Sequence, residues 1–240
     1  EQGVSVSTTQ SAVTRTNLYL NPKFVAPDSN VGTYFTASSD EDAFLGTVYT
    51  IVRTSGLGVN TFGAGLRSWT YTPSTEYTVS FKVRAVGQDL TGLTEIPVYI
   101  RPVGQASSTG QTLLGTIDQP VGDPVEYVFH GTSTSTAASA PAITLVSPVE
   151  WGETDSAIMV TDVVVETGNT DGSFFWGNTP ELDLPLDRHV AYRWTAGENI
   201  STSEAVESLQ QLATGPVDVS GFIRQYITVP KTAATSGWTY

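Results

Sequence analysis

The sequence predicts an all-β protein, a jelly-roll β-sandwich with an extended amino-terminal arm and a carboxy-terminal segment containing one short helix. Three observations predict it. Short runs rich in Val, Ile, Thr, Tyr and Phe recur along the chain, set off by Gly, Pro, Ser and Asp about every ten residues. In the clearest run, Glu76 to Gly87, Tyr77, Val79, Phe81, Val83 and Ala85 alternate with Thr78, Ser80, Lys82 and Arg84, the period of a half-buried strand. About eight such runs are complete by Glu166, the number a double-sheet jelly roll uses.

Taken in order, residues 1–15 form a Ser, Thr and Val-rich arm, extended in tendency, with no evident pairing partner inside the chain. The sandwich is expected over residues 16–166. Its strands are Gly46 to Thr54, Leu66 to Thr72, Glu76 to Gly87, Ile96 to Pro102, Gln111 to Ile117, Val125 to Gly131, Ala142 to Val146 and Ser156 to Glu166. Residues 167–200 change texture: Gly, Asn, Asp and Pro crowd a stretch that also holds Phe174, Phe175, Trp176, Tyr192 and Trp194. Loops with so much glycine need anchors, so Phe175 and Trp194 are expected to pack back on the sandwich, and Trp176 is the candidate for an outward contact. Residues 201–240 are expected to supply a helix from Ser201 to Ala213, followed by a terminal strand and a polar tail. Ser201 and Glu204 make a capping box, and Val206, Leu209, Leu212 and Ala213 an apolar stripe.

Composition narrows the function classes. Of 240 residues, 39% are hydrophobic, 10% aromatic and 15% charged, a profile that can bury a core. Eleven basic residues against 24 acidic ones give a net charge of −13, which repels phosphate and argues against nucleic acid as a partner. The absence of cysteine removes disulfides, Cys-ligated zinc and thiol catalysis. No apolar run approaches the roughly 20 residues of a membrane helix, so no membrane insertion is expected. Residues 1–16 lack the basic start and apolar core of a signal peptide, and an opening on Glu1 reads as a processed or excised chain.

Two stretches carry a resemblance. Thr16 to Phe24 (TNLYLNPKF) is one; the other runs through Phe175, Gly177, Asn178, Thr179 and Pro180, then Tyr192, Trp194, Thr195 and Gly197, then Ser201, Thr202 and Ser203. In this order they resemble the minor tail proteins of tailed phages infecting actinobacteria, with a carbohydrate-binding-module-like jelly roll between the motifs. Tyr77 to Ala85 and Met159 to Val165 resemble that family's middle and last core strands. The resemblance implies a virion protein located on the tail, assembled with other tail proteins as a homo-oligomer, with contact to a host cell-envelope polysaccharide. It also implies a structural calcium held by Asp162 and a carboxylate that here is replaced by Val25. Asp28 or main-chain carbonyls are the remaining substitutes, and calcium is therefore disfavoured. Where the family carries Asp, this chain has Trp176.

A sugar site needs flat rings and hydroxyl-bonding groups. The sequence offers Arg67, Trp69 and Tyr71 on one predicted strand and Tyr49 with Arg53 on the one before it; Tyr99 and Arg101 repeat the pattern. The same face suits the core or a subunit contact better, since period two does not say which face is buried. Catalysis is not expected. Asp40, Glu41 and Asp42, and Glu150, Glu153 and Asp155, are local clusters in turn contexts, and His130 and His189 stand alone. A capsid decoration protein and, behind it, a glycan hydrolase are the competing readings.

Overall fold

The computed structural model describes residues 13–25, 35–53, 62–87, 95–102, 111–118, 121–135, 141–146, 157–184 and 188–209. Among the described residues every regular element is a β-strand. Seven of the eight expected strands lie within one residue of their predicted ends. One antiparallel sheet runs β2 (Phe35–Asp42), β3 (Gly46–Arg53), β10 (Ala157–Thr167), β5 (Glu76–Val86) and β8 (Val125–Thr132). A second runs β4 (Phe62–Leu66), β9 (Pro141–Val146), β6 (Glu95–Pro102) and β7 (Thr112–Asp118). From β2 to β10 the chain changes sheet at every connection but the β2–β3 and β6–β7 hairpins, and the inward residues of both sheets join in one core. That is a jelly-roll β-sandwich.

Alternation explains the core. Tyr77, Val79, Phe81, Val83 and Ala85 of β5 all face inward and are buried, opposite Ile96, Val98 and Ile100 of β6 and Ile143 and Leu145 of β9. The other face of β5 is wet only in part. Lys82 and Arg84 reach toward solvent, but Thr78 and Ser80 are buried under the chain that follows β10. Thr78 Oγ1 donates to the Gly168 carbonyl at 2.7 Å and accepts from Thr170 N–H at 2.9 Å, and Ser80 Oγ donates to the Gly172 carbonyl.

Two sandwich strands depart from expectation. β2, FTASSDED, lacks the β-branched and aromatic content that marks a strand, because it is an edge strand. Its hairpin to β3 is fixed by Asp42, whose Oδ1 accepts the N–H groups of Phe44 and Leu45, and by Gly46 at φ +70°. The strand expected from Leu66 to Thr72 ends instead at Leu66. Beyond it Trp69 N–H turns back to the Arg67 carbonyl at 2.7 Å, and its indole Nε1 donates to the Leu66 carbonyl at 3.2 Å.

A third sheet lies outside the sandwich: β1 (Val13–Asn17), β13 (Ser203–Leu209), β12 (Arg188–Trp194) and β11 (Leu182–Leu184), all antiparallel. It corrects two expectations. The end of the arm has a partner in the chain, since Val13 to Asn17 register against Glu207 to Ser203. The helix expected from Ser201 is a strand over Ser203–Leu209, paired on both sides. Ser201, Ser203 and Ala205 are buried while Thr202 and Glu204 are less so, a period of two that two partners' backbone groups reward more than a lone helix could. Ser201 Oγ accepts from Ala196 N–H at 3.0 Å instead of capping, and Glu204 pairs with Arg193 at 2.8 Å. The remainder of the predicted helix, the terminal strand and the tail lie outside the described residues.

Candidate functional site at the aromatic junction

The third sheet meets the sandwich through the two motifs singled out above. Asn17 is fully buried and spends its whole amide there. Its Nδ2 donates to the carbonyls of Val163 at 2.9 Å and Phe175 at 3.3 Å, and its Oδ1 accepts from Tyr19 and Val165 N–H groups at 3.0 Å each. Arg15 forks onto buried Glu166 at 3.0 and 2.6 Å, reaches Ser173 Oγ at 2.6 Å, and lies 5.0 Å over the Phe175 ring. Downstream, Phe24 is buried and stacks on Tyr49 with ring centroids 5.0 Å apart.

From Phe174 onward the rings divide into two groups. Phe175 is buried with Val190 and Ala205, with Leu184 and Tyr192 packed against them, and forms the small core of the third sheet. Phe174, Trp176 and Trp194 are only partly covered. Trp176 crosses Trp194 edge-to-face, with centroids 6.1 Å apart and planes at 83°. Gly177 lies directly under the Trp194 indole, so closely that any side chain would collide with the ring. Trp194 Nε1 donates to Asn178 Oδ1 at 2.9 Å, and Asn178 Nδ2 donates to Glu198. A turn holds Trp176: its N–H donates to Thr179 Oγ1 at 2.9 Å, and its carbonyl accepts from Thr179 N–H at 3.0 Å. Lys23 Nζ stands 4.8 Å from the Phe174 ring centroid and 5.9 Å from that of Trp176.

The result is a partly exposed group of flat rings beside an exposed amide and an exposed carboxylate. Rings of this kind stack on the apolar faces of pyranoses, while amides and carboxylates bond hydroxyls. Trp194, expected only to anchor, both anchors and presents part of its ring.

The other ring platform read from the sequence is turned inward. Tyr49 is 0% exposed, Trp69 5% and Tyr71 9%, and all three belong to the sandwich core. Trp69 packs edge-on against Tyr77 at 5.2 Å, and the Tyr71 hydroxyl donates to the Thr134 carbonyl at 3.1 Å. Rings of this size lose more by facing water than the strand pattern gains. These three offer no stacking face. Arg67, Tyr99 and Arg101 are half-buried, and the Arg53 side chain lies outside the described residues.

Carboxylates near the β2 hairpin have local duties. Asp40 accepts from Ser38, Glu41 from Thr47 at 2.8 Å, and Asp42 from Arg84 at 3.1 Å. Burial pushes the Asp42 carboxyl upward, but the Phe44 and Leu45 N–H groups and Arg84 outweigh it, leaving the group below its ordinary range. His130 Nδ1 faces Thr78 Oγ1 at 3.1 Å and His189 Nδ1 faces Asp183 at 2.9 Å. Nothing in these pairings assigns a reaction. Glu150, Glu153 and Asp155 lie outside the described residues, as does Asp28.

No protein-family model matches the chain, and no curated protein matches it. Solved structures do. They include the CBM22-1–GH10 modules of a Clostridium thermocellum endo-1,4-β-D-xylanase 10B complexed with xylohexaose, at 15% identity over 68% of this chain and 30% of that one, with a TM-score of 0.44. A family 29 carbohydrate-binding module matches at 13% identity over 65% of this chain and 86% of that one, with a TM-score of 0.39. The enzymatically active domain of bacteriophage CBA120 tailspike protein 4 matches at 13% identity over 63% of this chain and 21% of that one, also with a TM-score of 0.39. At these identities and TM-scores the likenesses assign neither family nor function.

Proposed function

We propose that this chain is a structural protein of a phage tail, a minor tail protein, whose aromatic junction recognises glycan of the host envelope. The observation that carries the reading is the meeting of the two tail-protein-like motifs. Asn17 of the first bonds the Phe175 carbonyl of the second across 158 positions of sequence. Arg15, just before the first motif, lies over Phe175 of the second, and Lys23, near the end of the first, lies over Phe174 beside it. Stretches that resemble one family in order thus act as a single device that fastens a small sheet to a jelly roll. The part of that device left open, Trp176 and Trp194 with Asn178 and Glu198, has the chemistry of a saccharide site.

Copies arranged about a tail axis as a homo-oligomer, beside other tail proteins, would add weak single sites into useful avidity. Two measurements test the reading. Antibody to this chain should label the tail of intact virions in electron micrographs; label over the capsid would replace the tail reading with a decoration protein. Trp176→Ala should weaken binding to purified envelope polysaccharide about tenfold, the loss of one stacked ring at ~1.4 kcal/mol, with the chain still folded. Binding equal to that of the parent chain would remove the junction as the glycan site.

A further inference from the structure

At Asp162 the resemblance implies a structural calcium, and the groups around that carboxylate do not fit one. Asp162 is 6% exposed and sits at φ +57° in the bulge of β10, where the register with β5 shifts between Thr161 and Val164. Its Oδ1 is taken by Lys23 Nζ and its Oδ2 by Lys82 Nζ at 2.9 Å. The oxygens flanking Lys23 in sequence already accept hydrogen bonds. The Pro22 carbonyl accepts Val163 N–H at 3.2 Å, the Phe24 carbonyl accepts the Ser39 hydroxyl, and Asn21 Oδ1 accepts Val25 N–H at 2.9 Å. Val25 puts an exposed hydrocarbon where the resemblance implies a second carboxylate. Calcium needs six to eight oxygen ligands, and here two ammonium groups hold the best one.

We infer that Lys23 and Lys82 act as built-in cations in the place of a structural divalent ion, so that the jelly roll closes at Asp162 without metal. Two unit charges on the two oxygens of one carboxylate match the charge of a divalent ion. Each lysine also satisfies a lone pair that burial would otherwise leave empty. The first motif, through Lys23, and β10, through Asp162, are the two elements the implied ion would join, and Lys82 adds β5. The hydrogen bond to Asp162 raises the Lys82 pKa above its ordinary value, against the opposing effect of burial. Lys23 does more than an ion could, because the same ammonium lies over Phe174 and Trp176 and ties the aromatic segment to the carboxylate.

The test is thermal unfolding of the full chain, with calorimetric calcium titration alongside. Unfolding midpoints in excess EDTA and in millimolar calcium should coincide, and the titration should show no binding heat at Asp162, read as no difference between the parent chain and Asp162→Asn. Lys23→Met and Lys82→Met, which keep the aliphatic stems, should each lower the midpoint by on the order of 5 °C. Combined with Asp162→Asn, either should lower it by less than the sum of the single effects. A midpoint that falls on chelation, or calcium binding that Asp162→Asn abolishes, would overturn the inference even if the lysine variants fail to fold. Lysine variants with parental midpoints would overturn it as well.

Discussion

Single residues at the junction do work out of proportion to their size. Asn17 bonds four backbone groups from separate stretches, so Asn17→Ala strands two carbonyls and two N–H groups in a buried place. A loss of ~2–4 kcal/mol is expected, measured by urea unfolding. Trp69→Ala removes a ring from the middle of the core and should cost ~3–5 kcal/mol, a drop of about 10 °C in midpoint. It should leave glycan binding per folded molecule intact, which separates it from Trp176→Ala. Gly177→Ala is expected to lift the Trp194 indole from its seat, shifting tryptophan fluorescence and weakening glycan binding while the sandwich stays folded. Unchanged emission would show that the indole has room to give.

At the scale of elements, the sequence was most legible where a strand is central and half its residues must be apolar. β3, β5, β9 and β10 carry that signature in their own side chains. β2 does not, because an edge strand with polar flanks is held by its neighbour and its turn. β1 and β13 were hidden for a different reason. They pair with each other across nearly two hundred positions, so no local window shows β1 its partner, and β13 has only β12 nearby. Ser201 and Glu204 do spell a helix start, yet tertiary pairing overrides local propensity. Trp176 was singled out because a loop crowded with rings must put some of them outside, whereas Trp194, at the end of β12, was expected only to anchor, and its partly open ring was missed. Period two could not tell that Tyr49, Trp69 and Tyr71 face inward. Ala205→Pro should break the centre of the third sheet, since Ala205 registers with both Arg15 and Tyr192. Hydrogen exchange should then quicken over Val13–Asn17 and Arg188–Trp194, with β5 still protected; loss of protection in β5 would mean that the sheets unfold as one.

For the whole molecule, charge sets a window of pH. Asp171, held by the Ser173 N–H, and Asp42 both have lowered carboxyl pKa values. Their contribution to stability is therefore present above the ordinary Asp value of 3.8 and is lost as pH falls through the lower folded values. Lys82 runs the other way: its contribution holds below 10.5 and fades as pH rises through a higher folded value. A plateau between acid and alkaline limbs is expected in a pH series of unfolding midpoints, and Asp42→Asn should flatten the acid limb. The pairing of β1 with β13 has a mechanical consequence. Val13 lies against Glu207 and Asn17 against Ser203, so everything from Leu18 to Thr202, the sandwich included, hangs as a loop closed by five residue pairs. Tension applied through the chain before Val13 and after Leu209 crosses that ladder directly and pulls it open one pair at a time from the outer end. Until Asn17 and Ser203 part, load reaches the jelly roll only through side-chain ties, Arg15 to Glu166 and Asn17 to Val163 and Val165.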